Sequence, residues 1–496
     1  MPANPEIFLK PWARCVGSER VSTMLRTEYW ERFRQVQNAI GFKYIRCHGL
    51  LCDELGLFRV DEWEGKKRPF LNFSYLDQVF DTMLEHGVRP FVELGFMPGA
   101  LASGKQTVFW WKGNATPPAD WDLWSELLRG LLSHWISRYG SEEVRKWPVE
   151  VWNEPNLEGF WEGASKENYF RLYESSVLAI KSVDPAIRVG GPATCGTSDD
   201  WVEDFLAFVR ERGLALDFFS RHLYAGESPT KRTPELFYQG LCDPEKPIEE
   251  LRSVRSRIDA AGFPGLELHI TEFNTSYHPL CPVHDTPLNA AFLARLLSES
   301  GGLVETLSYW TFCDLFEEQD IPRSLFHGGF GLVAAHGIPK PSFHLFSFFS
   351  KLEGEVIHRG PNCVATRRPD GSLALAAWNP VLEAGARPPL RLELDLPWSG
   401  DRALVRRSRV HEDAGNPWGL WRTMGRPRFP DRSTVEFLKR AAVPAVEAAV
   451  LDGGGGELPL RLELARNEVT LVEILPFADE SPGYLGLDDS LIDGYS

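Results

Sequence analysis

The chain contains no CxxC pair. Its eight cysteines, Cys15, Cys47, Cys52, Cys195, Cys242, Cys281, Cys313 and Cys363, are scattered over 496 residues without zinc-ligand spacing, which excludes a structural zinc module and a disulfide-stapled miniprotein. Free thiols in a reducing compartment are what such a distribution implies. There is no apolar run of membrane-spanning length, and the segment Met1 to Lys10 has neither the charged nor the apolar region of a secretory signal. The chain therefore reads as soluble and cytoplasmic, with no membrane partner, and the triplets at Asn72, Asn114 and Asn274 carry no weight as glycosylation sites. Basic runs are also missing. With 53 Lys and Arg against 69 Asp and Glu, the formal charge is -16, which repels polyanions and excludes nucleic acid as a partner. The His-x-His pair of a metal-dependent hydrolase barrel, a solenoid repeat and low-complexity tracts are all absent from the sequence.

What is present is ordinary globular material, 43% hydrophobic and 25% charged, and 17 tryptophans, more than packing alone asks for. From about residue 15 to 340, short apolar strands alternate with amphipathic helical stretches. Candidate strands lie at Cys15-Val16, Phe42 to His48, Arg89 to Phe96, Val149 to Asn153, Ile187 to Gly190, Phe218 to His222, Leu266 to Thr271 and Thr306 to Trp310. This predicts an α/β fold, a (β/α)8 TIM barrel. Over 345–480 the texture changes to alternating segments such as Leu390 to Leu396, separated by Gly/Pro turns, which predicts a C-terminal antiparallel β-sandwich. The strand-like Glu6 to Lys10, within 5–12, is placed to add an edge strand to it, and residues 481–496 form a tail.

Barrel enzymes carry their chemistry at the C-terminal ends of the strands. Strand four ends in Asn153-Glu154-Pro155-Asn156 and strand seven in Thr271-Glu272-Phe273-Asn274. If Glu272 faces the lumen, alternation puts Leu268 and Ile270 there too and turns His269 and Thr271 toward the helices. The same rule groups Tyr44, Arg46 and His48 on strand two, Ser220, His222 and Tyr224 on strand six, and Ser308 and Trp310 on strand eight. Glycoside hydrolysis needs such a pair of carboxyls, one protonated to serve the leaving oxygen and one ionised to attack or to activate water. Arg46 and Tyr224 are suited to hold Glu272 ionised, His222 to tune or orient Glu154, and Asn153 to bond a sugar 2-hydroxyl. Glu93, inside strand three, reads as a structural ion pair with Arg46, and His269 as a core histidine.

The runs Gly41 to Leu51, Phe91 to Pro98, Trp152 to Asn156 and Phe326 to Leu332 resemble glycoside hydrolase family 39, whose members are β-xylosidases and α-L-iduronidases. The resemblance continues at Asn416-Pro417-Trp418 and at Tyr484 to Ser490 in the tail. It implies a retaining double displacement with Glu154 as acid/base and Glu272 as nucleophile, their carboxyls about 5 Å apart. It further implies that His48, Asn153, His222, Tyr224, Trp310, Glu317 and Glu318 hold the sugar, and that the loop Phe109 to Asn114, with Trp110, lies near the aglycone side. The acidic stretch Asp314 to Asp320 disfavours a uronate. The expected activity is exo-hydrolysis of β-D-xylose from xylobiose and short xylo-oligosaccharides, with no metal and no cofactor. An α-L-arabinosidase or α-L-iduronidase, and a non-catalytic carbohydrate-binding protein on an inactive barrel, are the alternatives. The sequence leaves the oligomeric state open.

Overall fold

Eight parallel strands close on themselves into a barrel: β1 (Cys15–Arg20), β2 (Tyr44–His48), β3 (Arg89–Glu93), β4 (Val149–Glu150), β5 (Val189–Thr194), β6 (Phe218–Tyr224), β7 (Glu267–Asn274) and β8 (Thr306–Tyr309). The structure is a computed structural model and describes residues 5–196, 199–385, 387–477, 481 and 488–494. Around the strands lie helices α1 (Thr27–Ile40), α2 (Ser74–Glu85), α3 (Trp121–Tyr139), α4 (Lys166–Val183), α5 (Asp199–Arg212), α6 (Lys246–Ala260), α7 (Pro287–Glu299) and α8 (Pro341–Ser350). Each follows from local sequence. In α3, Asp120 Oδ1 accepts from the N–H groups of Asp122 and Leu123 at 3.0 Å, and Trp124, Leu127, Leu128, Leu131 and Trp135 recur at helical spacing to form the buried face. None of the helices among the described residues is long and apolar enough to cross a membrane.

The floor of the lumen is apolar, built from Cys15, Phe91 and Phe218 with Tyr44 against them. His269 belongs to this floor, edge-on to Phe91 and Phe218 at 5.3 and 4.9 Å. This corrects the alternation expected for strand seven. The β6–β7 register runs Arg221 to Ile270 and then His222 to Glu272, so Thr271 is an extra residue in a bulge. The bulge changes parity within the strand. His269 and Thr271 therefore face the lumen together with Glu272, whereas Leu268 and Ile270 join the apolar layer beneath the helices. Strand four is shorter than expected, ending at Glu150. The loop that follows holds Trp152 at φ 73° and Glu154 at φ 46°, left-handed conformations that cost energy for side-chain-bearing residues and concentrate at functional sites.

Past the barrel, the strands are antiparallel: β9 (Glu355–Gly360), β10 (Cys363–Arg367), β11 (Leu373–Trp378), β12 (Leu390–Pro397), β13 (Arg402–Val410), β14 (Ala445–Asp452), β15 (Glu457–Leu464) and β16 (Val469–Pro476). One sheet has the order β9-β10-β11-β16-β13-β14, and β12 and β15 pair separately. Between them lies a core including Leu375, Leu396, Leu460, Leu462 and Ile474, so this part is a β-sandwich. Helices α9 (Pro417–Thr423) and α10 (Arg432–Ala441) interrupt the strand series. The N-terminal segment reaches the β9 edge: Phe8 N–H donates to Gly354 O at 3.0 Å, Val356 N–H to Glu6 O at 2.7 Å, and Ile7 bridges Glu355. Of the tail run that carried part of the resemblance, Tyr484 to Leu487 lie outside the described residues.

Candidate active site

Arg46 on β2 is the centre of the site, wholly buried inside the barrel. A buried guanidinium must satisfy its fixed fork of donors. Here Nε donates to Glu150 Oε2 at 2.7 Å, Nη1 to Glu272 Oε1 at 2.8 Å, and Nη2 to Asn153 Oδ1 at 2.8 Å, with Glu93 Oε2 3.0 Å from Nη2. Burial works against its charge, but Glu150, Glu93 and Glu272 outweigh that and hold the guanidinium more firmly protonated. Thr271, turned inward by the bulge, donates to Glu150 Oε1 at 2.9 Å. Four elements are thereby fixed relative to one another by one side chain.

Glu272 is held from both sides. Its Oε1 takes the Arg46 bond, and its Oε2 accepts from the Tyr224 hydroxyl at 2.7 Å. Glu154 has no cation bonded to it; its Oε1 shares a 2.7 Å hydrogen bond with His222 Nδ1. One donor atom from each of Glu154, His222 and Glu272 lies within 4.8 Å of the other two. Such a trio could also ligate a metal, although in Glu272 both oxygens already accept strong bonds. Burial, and then the Glu272 charge, push Glu154 up to about 8. Burial raises Glu272 as well, with Arg46, His48 and Tyr224 opposing the rise. The proton belongs on Glu154. Burial, with the Arg46, His48 and Arg221 charges nearby, holds His222 well below the ordinary imidazole range, hence neutral.

His48 has the opposite state. Burial disfavours its charge, yet Glu93, Glu318 and Glu272 around it lift it to about 10. Its Nδ1 donates to Glu93 Oε2 at 2.7 Å, and its Nε2 lies 3.5 Å from Glu318 Oε1. Burial raises Glu318 to about 7 against the pull of His48. Trp310 stands beside them, its ring 4.7 Å from His48 and backed by Phe316 and Phe330. Gly17 on β1 makes room for that indole, since a Cβ there would lie 2.3 Å from Trp310 Cε3.

Nine expected residues thus meet in one network: Arg46, His48, Asn153, Glu154, His222, Tyr224, Glu272, Trp310 and Glu318. Two stand apart from it. Glu317 is turned onto arginines, its oxygens accepting from Arg20 at 2.9 Å and from Arg26 at 2.6 and 3.1 Å. Trp110 reaches the site through its backbone, N–H donating to Glu318 O at 2.7 Å, while its ring is 46% exposed. The aromatic ring against the pocket is that of Phe109, stacked on His48 at 5.5 Å.

The sequence placed Phe109 in the aromatic loop without singling it out from Trp110 and Trp111, and sequence reasoning missed Glu150 and the Asn156–Cys195 pair. A glutamate between two valines in Val149-Glu150-Val151 was the available signal for Glu150, because a charge within an apolar strand needs a buried partner. Asn156 accepts from Cys195 N–H at 3.1 Å and donates to Cys195 O at 2.8 Å, which ties the loop after β4 to the residue that follows β5. Nothing in sequence spacing couples positions so far apart.

Residues 3–457 match the model of the glycosyl hydrolases family 39. The chain belongs to this family. A β-xylosidase from Geobacillus stearothermophilus is 51% identical over the whole of this chain and 99% of its own length. A β-xylosidase from Caldicellulosiruptor saccharolyticus is 37% identical over 87% of this chain and 88% of its own. The crystal structure of a monomeric β-xylosidase from Caulobacter crescentus superposes with a TM-score of 0.87 at 34% identity, covering 96% of this chain and 98% of that one. The family 39 architecture of barrel and sandwich therefore extends along nearly all of the chain.

Proposed function

We propose that the protein is a retaining exo-β-xylosidase that removes single xylose units from the non-reducing ends of xylobiose and short xylo-oligosaccharides. The observation that carries this reading is the separation of under 4.8 Å between oxygens of Glu154 and Glu272. An inverting pair stands roughly 6.5–9.5 Å apart, to leave room for water, whereas a nucleophile and an acid/base stand about 5 Å apart. The unequal surroundings of the two groups assign the roles.

In the first step the Glu272 carboxylate attacks the anomeric carbon while Glu154 gives its proton to the glycosidic oxygen. The glycosidic bond breaks, the aglycone leaves as an alcohol, and an ester joins xylose to Glu272. Glu154, now ionised, then takes a proton from water as the water oxygen attacks the same carbon. The ester bond breaks, β-xylose leaves with its configuration retained, and Glu154 is protonated again. Acid, base and nucleophile are all side chains, so the cycle draws on no cofactor.

Asn153 Oδ1 accepts from Arg46 Nη2, which leaves the amide N–H groups of Asn153 for the sugar 2-hydroxyl. His48, Tyr224, Trp310 and Glu318 complete the glycone pocket; Glu317 supports it through Arg20, and Trp110 serves the aglycone side. The preference for xylose is supported by relatives described as β-xylosidases at 51% and 37% identity. Action in the cytoplasm is supported by the eight cysteines, all free and seven of them buried.

The test is an aryl β-D-xyloside panel run on wild type and Glu154→Ala. With a good leaving group the variant still forms the ester and stalls there, and azide restores turnover to give a β-xylosyl azide. An α-configured azide or an inverted hydrolysis product would overturn the mechanism, and wild type inert on every xyloside would overturn the substrate.

A further inference from the structure

Strand β1 ends at the mouth of the barrel, where this fold carries its chemistry, yet no side chain of β1 takes part in the double displacement. Its early residues mark the lumen face: Cys15 belongs to the apolar floor, and Gly17 lies against the Trp310 ring. Ser18 points the other way, its hydroxyl accepting from Tyr29 on α1 at 3.0 Å. The ladder to β2 then slips, pairing Gly17 with Arg46 but Arg20 with His48. A bulge of this kind re-aims side chains, and after it Glu19 and Arg20 share one cluster of charges.

Glu19 is 1% exposed. A buried carboxyl is costly unless it is bonded, and Glu19 divides its bonds unequally. Oε1 accepts from the Glu317 backbone N–H at 2.9 Å and from Arg20 Nη1 at 2.7 Å, whereas Oε2 has no partner among the described residues. Arg20 continues the chain of contacts, donating from Nη2 to Glu317 Oε2 at 2.9 Å and from Nε to Glu54 Oε2 at 2.8 Å. Glu317 is thus held by main chain and side chain together. The next residue is Glu318, whose Oε1 stands 3.5 Å from His48 Nε2 and whose carbonyl accepts from Trp110 N–H at 2.7 Å.

We propose that Glu19 is a positioning residue for sugar binding: by fixing the Glu317 N–H, it sets where the Glu318 carboxyl stands toward xylose. This rests on the reading of Glu318 as part of the glycone pocket. The anchored group is a backbone N–H, so the hold does not depend on the side chain at 317. Burial, against the pull of Arg20, pushes Glu19 up to about 8, so at neutral pH it works as an uncharged acceptor. Two bonds accepted at one oxygen and none at the other are what a glutamine amide can reproduce.

A double-mutant cycle in kcat/KM, measured on p-nitrophenyl xyloside and xylobiose, tests this. Glu19→Ala should lower kcat/KM by about tenfold, the worth of one hydrogen bond in the pocket, and Glu318→Gln should lower it at least as far. Glu19→Ala/Glu318→Gln should be nearly as active as Glu318→Gln alone, because Glu19 acts through a group already lost. Glu19→Gln should stay within about twofold of wild type. A residue that only stabilises the fold would lower the melting temperature and multiply its loss onto that of Glu318→Gln. If the alanine variant does not fold, Glu19→Asp, which withdraws the acceptor by one methylene, takes its place in the cycle. Multiplied losses, an unchanged kcat/KM in folded Glu19→Ala, or a Glu19→Gln as impaired as Glu19→Ala would overturn the proposal and leave the pocket standing. A harmless Glu318→Gln would overturn the reading of the pocket, and this proposal with it.

Discussion

Arg46 Nη1 donates to Glu272 Oε1 at 2.8 Å, with both side chains buried inside the barrel. The same guanidinium reaches Glu150, Asn153 and Glu93, so one residue on β2 sets the ionisation of the proposed nucleophile and the position of the loop carrying the acid.

Arg46→Met should therefore affect stability and pH dependence together. Removing one partner of a buried ion pair costs roughly 3–5 kcal/mol, because the carboxylates left behind are uncompensated. Denaturant melts should show a loss of this size, and the acid limb of kcat should move to higher pH as Glu272 loses its cation. Arg46→Lys should recover little, since an ammonium cannot reproduce the fork. An unshifted acid limb in a folded variant would remove Arg46 from nucleophile support.

The alkaline limb belongs to Glu154. The acid must carry its proton to serve the leaving oxygen, and burial beside Glu272 holds that proton to about pH 8. The kcat/KM profile for poor leaving groups should fall above about pH 8 and be flatter for leaving groups that need no protonation. Stability follows with a definite sign. Glu154 and Glu318 keep protons to about pH 8 and 7 when folded, whereas an unfolded glutamate loses its proton near about pH 4.3. The folded state binds more protons across that window, so stability is fully present below it and declines as pH rises through it. Glu154→Gln should weaken the fall in melting temperature between about pH 5 and 8, a difference that thermal melts in matched buffers will show.

Glu317 and Glu318 are neighbours in sequence with different surroundings, and their glutamine variants should separate. Glu318→Gln, beside His48 in the pocket, should lower kcat/KM by roughly ten- to hundredfold, the value of a hydrogen bond to a charged group. Glu317→Gln loosens its hold on Arg20 and Arg26, so its main effect should be a lower melting temperature. Equal kinetic losses from both would show that Glu317 also contacts sugar.

Phe109 and Trp110 should divide by subsite. Phe109→Ala removes the ring stacked on His48 and should raise KM for aryl xylosides and xylo-oligosaccharides alike, by about tenfold for an aromatic contact of this kind. Trp110→Ala should leave small aryl xylosides nearly unchanged and weaken only longer substrates. Steady-state kinetics on p-nitrophenyl xyloside and xylotriose distinguish these outcomes.

The barrel and the sandwich were legible because burial imposes periods on a sequence: apolar strands flanked by amphipathic helices up to about residue 340, strict alternation after it. The two glutamates were legible because strand ends in a barrel converge on one mouth. The alternation in β7 misled because a bulge is set by how the strand pairs with β6, which no single strand records. For the same reason Thr271 and His269 were expected on the wrong face. The sequence placed Glu317 and Glu318 together, and only the fold, by bringing Arg20 and Arg26 to one of them and His48 to the other, made them different. Residue type and spacing by themselves determined the fold class and the carboxyl pair, and the resemblance of the runs around Arg46, Glu93 and Glu154 gave the family. Tertiary structure alone decided which groups are charged, because ionisation in a buried site depends on neighbours that come from β2, β4, β6 and β7 and meet only when the barrel closes.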